Sequence, residues 1–176
     1  MGLEEVPTGL NPPFDVNVVV EIPFGGEPVK YEMNKESGRM FVDRILFTAM
    51  RYPGNYGFVP QTLSEDGDPL DALVIGQQPI MPGAVMNCRP VGVLLMRDEA
   101  GPDEKILAVP SEKVSSMYRD VADLEDLPEI QRRQIAHFFE RYKELEVGKW
   151  VKVERWGNAE EARRLIMQAV ERAKVR

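Results

Sequence analysis

Proline and glycine crowd the chain ahead of residue 111, and that spacing restricts the fold more than any other feature. The 176 residues hold 14 of each. The first two thirds are therefore cut into short apolar segments typical of strands. Val16–Ile22 is rich in β-branched residues. Val29–Met33 alternates, with Val29, Tyr31 and Met33 on one face and Lys30 and Glu32 on the other. Met40–Arg44, Leu70–Ile75, Ala84–Cys88, Val91–Met96, Lys105–Val109 and Lys149–Glu154 are further predicted strands. Many short strands with tight connections suggest a small barrel or sandwich.

The last third changes period. From Pro128 to Leu145, Ile135, Phe138, Phe139 and Tyr142 recur at helical spacing. Asn158 opens a second helix, with Glu161 in place for a capping box and a stripe of Ala162, Leu165, Ile166, Ala169 and Ala173. No repeat, low-complexity tract or linker interrupts the pattern. The expectation is one α+β domain over residues 1–176, a β-barrel with helices packed outside, two of them C-terminal.

Charge narrows the partners. The net charge of −7 repels a nucleic-acid backbone and argues against that partner. A small anion is still acceptable where bound cations or local basic groups reverse the field. Cys88 is the sole cysteine, so no internal disulfide can form. The start, Met1-Gly2-Leu3-Glu4-Glu5, has no apolar run behind it, and Val6 breaks a myristoylation pattern. No stretch is long enough for a membrane span. A cytoplasmic protein is expected.

The most informative segment is Glu65-Asp66-Gly67-Asp68-Pro69-Leu70-Asp71. Gly67 permits a sharp turn and Pro69 stiffens it, presenting three aspartates from a rigid corner. A second acidic stretch, Asp98-Glu99-Ala100-Gly101-Pro102-Asp103, is expected as a loop between strands. If the two converge, carboxylates about 5 Å apart repel by roughly 3 kcal/mol at an effective dielectric near 20. That demands bound cations or raised pKa values. If they splay into solvent, the acidity means nothing. One histidine, His137, and one cysteine rule out a His- or Cys-rich zinc site. Carboxylates suit hard ions such as Mg²⁺, Mn²⁺ or Ca²⁺. An EF-hand fails because Leu70 and Gln77 fall where oxygen ligands belong. Mg²⁺ is the expected ion, with Mn²⁺ as a substitute.

Cationic and phenolic residues accompany the acids. Lys30, Arg44, Lys105 and Lys143 could meet phosphate oxygens, as could the hydroxyls of Tyr52, Tyr56 and Tyr142. Each also has a plain structural reading. Tyr142 fits the helical core stripe, Tyr56 could simply pack, and Lys30 and Lys143 could be solvated charges. His137 and Cys88 read as structural. No P-loop, dinucleotide fingerprint or nucleophile elbow occurs.

Asp66-Gly67-Asp68-Pro69-Leu70-Asp71 resembles the D-G-D-P-x-D motif of the soluble family I inorganic pyrophosphatases, prokaryotic type. Glu21-Ile22-Pro23, Lys30-Tyr31-Glu32, Tyr52-Pro53-Gly54-Asn55-Tyr56-Gly57, Ile135-Ala136-His137-Phe138-Phe139 and Gly148-Lys149-Trp150-Val151 match in the same order. The similarity runs from about Asn11 to Lys174. It implies a five-stranded OB-like barrel with flanking helices, and hydrolysis of pyrophosphate to two phosphates by a divalent-metal-activated water, with no covalent intermediate. Asp66, Asp71 and Asp103 would be the main metal ligands, with Asp98 and Glu21 helping to hold further ions. Asp68 would be the general base. Lys30, Arg44, Tyr56, Lys105, Tyr142 and Lys143 would bind pyrophosphate and phosphate, while Glu32, Tyr52 and Glu99 would support them from behind. The resemblance also implies several ions per site and a homohexamer.

Overall fold

One strand turns the expected sheet into a barrel. β1 (Val16–Ile22) pairs antiparallel with β4 (Asn55–Phe58) through Val19, Val20 and Ile22. It also pairs with β6 (Val85–Asp98) through Val16–Val19. β5 (Asp71–Val74) lies beside β4, and β7 (Gly101–Pro110) runs parallel to β5 and antiparallel to β6. The ring β1-β4-β5-β7-β6 is thus closed, which removes its edges. The computed structural model describes residues 5–175; the first four residues, part of the acidic start considered above, lie outside them.

β6 does the work of two expected strands. Val85–Cys88 faces β1, whereas Gly92–Asp98 faces β8 (Val151–Asn158). The register shifts between Pro90 and Gly92 against β7. Proline cannot donate to a ladder, so a bulge at this point lets one strand bend and serve two neighbours. A second difference concerns Asn55–Phe58, expected within a stiff turn. It is a fully buried strand. Its turn-like glycine has another purpose: a Cβ on Gly57 would overlap the Val19 carbonyl, so glycine allows β1 and β4 to approach.

The two faces of the strands feed two cores. Ala72, Val74, Ile106 and Ala108 meet Ala162, Ile166 and Ala169 of α2 (Ala159–Lys174). Leu73, Leu107, Val109, Leu94 and Met96 on the opposite face meet Ile135, Phe138 and Phe139 of α1 (Glu129–Arg141). Asn158 caps α2 by accepting from the Glu161 N–H at 2.9 Å. The reciprocal half of the expected box is not made, because the Glu161 carboxylate instead takes two bonds from Arg155 at 2.8 Å. β2 (Val29–Asn34) and β3 (Arg39–Ile45) form a separate two-stranded ribbon. No described helix is long and apolar enough to cross a membrane.

Candidate active site

At one end of the α1-side core the apolar rows turn polar. On β5, Leu73 is followed two residues away by Asp71. On β7, Leu107 gives way to Lys105 and then Asp103, and on β6, Leu94 and Met96 lead to Asp98. Alternation therefore aims all four polar side chains to the same face. Asp71 is directly opposite Lys105, which is opposite Leu94, and Asp103 is opposite Met96. The acidic stretch expected as a loop is a tight hairpin, with β7 beginning at Gly101 (φ +123°). Asp103 is a strand residue for that reason.

The result is a cavity of about 240 Å³ that gathers carboxylates and cations from distant parts of the chain. Glu21, Asp66, Asp68, Asp71, Asp98 and Asp103 line it, joined by Lys30, Arg44, Tyr56, Lys105, Tyr142 and Lys143. Lys105 Nζ donates to Asp71 Oδ2 at 2.5 Å and to Asp103 Oδ1 at 2.9 Å. Lys143 Nζ donates to Asp98 Oδ2 at 2.8 Å and to Glu99 Oε1 at 3.2 Å. The ribbon supplies Lys30, paired with Asp43 at 3.2 Å, and Arg44, paired with Glu146 at 3.0 Å. Of the supporting residues, Glu32 lines the cavity itself. Tyr52 is buried with its ring 5.3 Å from Tyr56, and Glu99 grips Lys143 and Lys149.

Tyr142 satisfies both of its readings. It stacks on Phe138, centroids 5.4 Å apart, and still lines the cavity. The expected helix to Leu145 stops at Arg141. Beyond it, Glu144, Glu146 and Lys149 each donate to the carbonyl three residues back. This tighter winding carries Lys143, Glu146 and Lys149 to the cavity side.

The family model for inorganic pyrophosphatase matches residues 18–174. The chain belongs to the inorganic pyrophosphatase family. A relative of that name from Mesorhizobium japonicum is 59% identical over 99% of this chain and 98% of its own length. One from Bradyrhizobium diazoefficiens is 60% identical over the same shares. The crystal structure of the inorganic pyrophosphatase from Thermus thermophilus superposes with a TM-score of 0.93 at 43% identity, covering 99% of both chains.

The electrostatics fit a hard cation in this pyrophosphatase fold. Burial pushes Glu21 up to about 7, helped by Asp71 and Glu32 and opposed by the Met33 N–H that donates to it at 2.8 Å. Burial also raises Asp103, and Asp71 and Asp98 add to the effect. Burial disfavours the charge on Lys105, yet Asp71, Tyr56 and Asp103 together hold its pKa well above normal. Glu99 goes the other way, to about 2: its burial is outweighed by bonds from Lys149, Lys143 and backbone N–H groups. Among the described residues, no three carboxylates are drawn together tightly enough to ligate an ion as they stand. The Lys105 ammonium bridges two of them instead. An all-oxygen donor set in which Glu21 and Asp103 resist ionisation is relieved by a divalent cation.

Sequence reasoning missed Lys35, Lys149 and Phe58 as lining residues. Lys149 was quoted within a matching segment. Lys35 lies in a polar turn with no local signal, and only its pairing with Asp68 reveals it.

Proposed function

We propose that this cavity hydrolyses pyrophosphate to two orthophosphates, with water as nucleophile and residues 1–176 acting as one domain. The observation that carries this reading is the meeting of clustered carboxylates with a ring of cations in one cavity. Carboxylates alone would bind only a metal, and cations alone only an anion. Together they suit an anion that arrives with divalent ions.

Asp66, Asp71 and Asp103 would hold the main ions, and Asp98 and Glu21 would hold further ones. Mg²⁺ is the physiological choice and Mn²⁺ a substitute. Bound ions would neutralise charge and lower the pKa of water towards neutrality. Asp68, exposed at its turn, orients the attacking water and takes its proton. Lys30, Arg44, Tyr56, Lys105, Tyr142 and Lys143 bind pyrophosphate and the leaving phosphate. Glu32, Tyr52 and Glu99 keep these groups aimed. Water attacks directly in this reading, without a covalent intermediate.

Phosphate release from pyrophosphate tests the reaction and the cofactor together. Release with Mg²⁺ that stops in excess chelator is expected; no release with Mg²⁺ would overturn the assignment. The reading includes a cytoplasmic protein that assembles as a homohexamer. Apolar residues on β3 and just after it support self-association, since Phe41, Val42, Ile45 and Phe47 are all more than half exposed. Sedimentation of the protein and of Ile45→Lys tests this, with a monomeric parent as the contrary result.

A further inference from the structure

The turn between β2 and β3 is tied without help from its lysine. Asn34 Oδ1 accepts from the Ser37 N–H at 2.8 Å and from the Ser37 hydroxyl at 2.7 Å. The Gly38 N–H donates to the Asn34 carbonyl at 2.8 Å, and Gly38 takes the left-handed φ of +64° that closes the turn. The long side chain of Lys35 is left to reach across to the cavity. Its ammonium lies 3.3 Å from Asp68 Oδ1 and 6.0 Å from the centroid of the Phe58 ring.

This contact is looser than most ion pairs of the site. Lys105 and Lys143 each bridge two carboxylates and are almost fully buried. Arg44 is likewise held by two, Asp43 and Glu146. The Lys35–Asp68 pair is single and long, with side chains 42% and 69% exposed. Solvent screens such a pair, so little opposes its opening. The pairing is also at odds with the work assigned to Asp68. A carboxylate already accepting from an ammonium is a poorer acceptor for a proton from water. A cation on this arm is useful to hydrolysis only if it lets go once substrate is present.

We propose that Lys35 is a further pyrophosphate-binding residue, parked on Asp68 when the cavity is empty and drawn to the substrate's phosphate oxygens when it fills. Departure frees the base at the moment the anion is in place, and the incoming anion drives the exchange because it carries more charge than one carboxylate. This rests on the hydrolysis reading above.

Two measurements on the full chain with saturating Mg²⁺ test it. Steady-state phosphate release separates KM from kcat, and calorimetric titration with methylenediphosphonate, which is not hydrolysed, reports binding alone. Lys35→Met raises both KM and the diphosphonate Kd about tenfold, with a much smaller change in kcat, and Lys35→Arg recovers most of the binding. Lys152→Met, which removes an exposed charge on β8 away from the cavity, leaves both constants unaltered. A fall in kcat at constant KM and Kd overturns the proposal, because Lys35 then serves Asp68 throughout the cycle. Unchanged constants overturn it equally. If the parent protein releases no phosphate, the hydrolysis reading fails, while the diphosphonate titration still decides whether Lys35 touches a diphosphate.

Discussion

The barrel and the ribbon bring opposite contributions to one cavity. Barrel strands present Asp71, Asp103 and Lys105 from paired ladder positions, and the Lys105 side chain is only 6% exposed. The ribbon presents Lys30 and Arg44 at 27% and 33% exposure, and Lys35 at 42%. The barrel's share of the cavity is thus built into the fold, whereas the ribbon's share is adjustable. Substitutions on the barrel side should register in stability and metal dependence. Those on the ribbon should register in substrate affinity and leave stability nearly untouched.

The largest effect is expected at the seam, on Asp68. Asp68→Asn keeps the shape and loses the proton acceptor, so turnover falls by about 10³-fold. The carboxylate is 69% exposed, so the melting temperature stays close to the parent's. Stopped-flow phosphate release and a thermal melt check both halves. Turnover within tenfold of the parent moves the base elsewhere.

Next comes Lys105, which sharpens the contrast. Lys105→Met strips the shared, buried ammonium from Asp71 and Asp103 and leaves two partly buried carboxylates facing one another. In chelator the variant loses about 3–5 kcal/mol of unfolding free energy, the range for breaking a buried pair. Saturating Mg²⁺ restores most of that loss, because divalent ions replace the missing charge. Urea unfolding with and without metal is the measurement. A loss that Mg²⁺ fails to repair means that the carboxylates do not share an ion.

Much of this contrast could be read in the sequence, and what escaped has physical causes. Val16–Ile22, rich in β-branched residues, the alternating Val29–Met33 and the stripe of α2 were found because these signals are local. Asn55–Phe58 was not, since Gly57 and Asn55 look like turn residues; their roles appear only when β1 and β5 lie on either side. The Asp98–Asp103 hairpin escaped because one glycine at positive φ replaced an expected loop. The Asp66–Asp71 turn was recognised from its motif. Lys35, which reaches the site over 33 residues of separation, could be found only in three dimensions.

Glu21 gives an intermediate effect with a definite sign. Its pKa rises from 4.5 to about 7 in the folded, metal-free chain, chiefly through burial. Between those values the folded state holds a proton that the unfolded chain has released, so this contribution is complete below pH 4.5 and lost as pH climbs to 7. In chelator, Glu21→Gln removes that slope, and its stability relative to the parent improves by about 2–3 kcal/mol across the window. Mg²⁺ near pH 7.5 should erase the advantage by favouring the ionised carboxylate. A constant gap from pH 4.5 to 7 would place Glu21 in contact with water instead.

The smallest predicted effect tests the ribbon, where Arg44 links β3 to the segment beyond α1 by pairing with Glu146. Arg44→Lys keeps the charge and loses the planar fork that can hold two phosphate oxygens. KM for pyrophosphate rises about tenfold, near 1.4 kcal/mol. Stability changes by less than about 0.5 kcal/mol, because a partly exposed ion pair contributes little. Glu146→Gln produces a weaker rise in KM by loosening the same guanidinium. If Arg44→Lys instead costs stability on the scale of Lys105→Met, the ribbon is locked to the barrel through this pair. The ribbon's cations would then be as rigid as the barrel's, and Lys35 would have no freedom to leave Asp68.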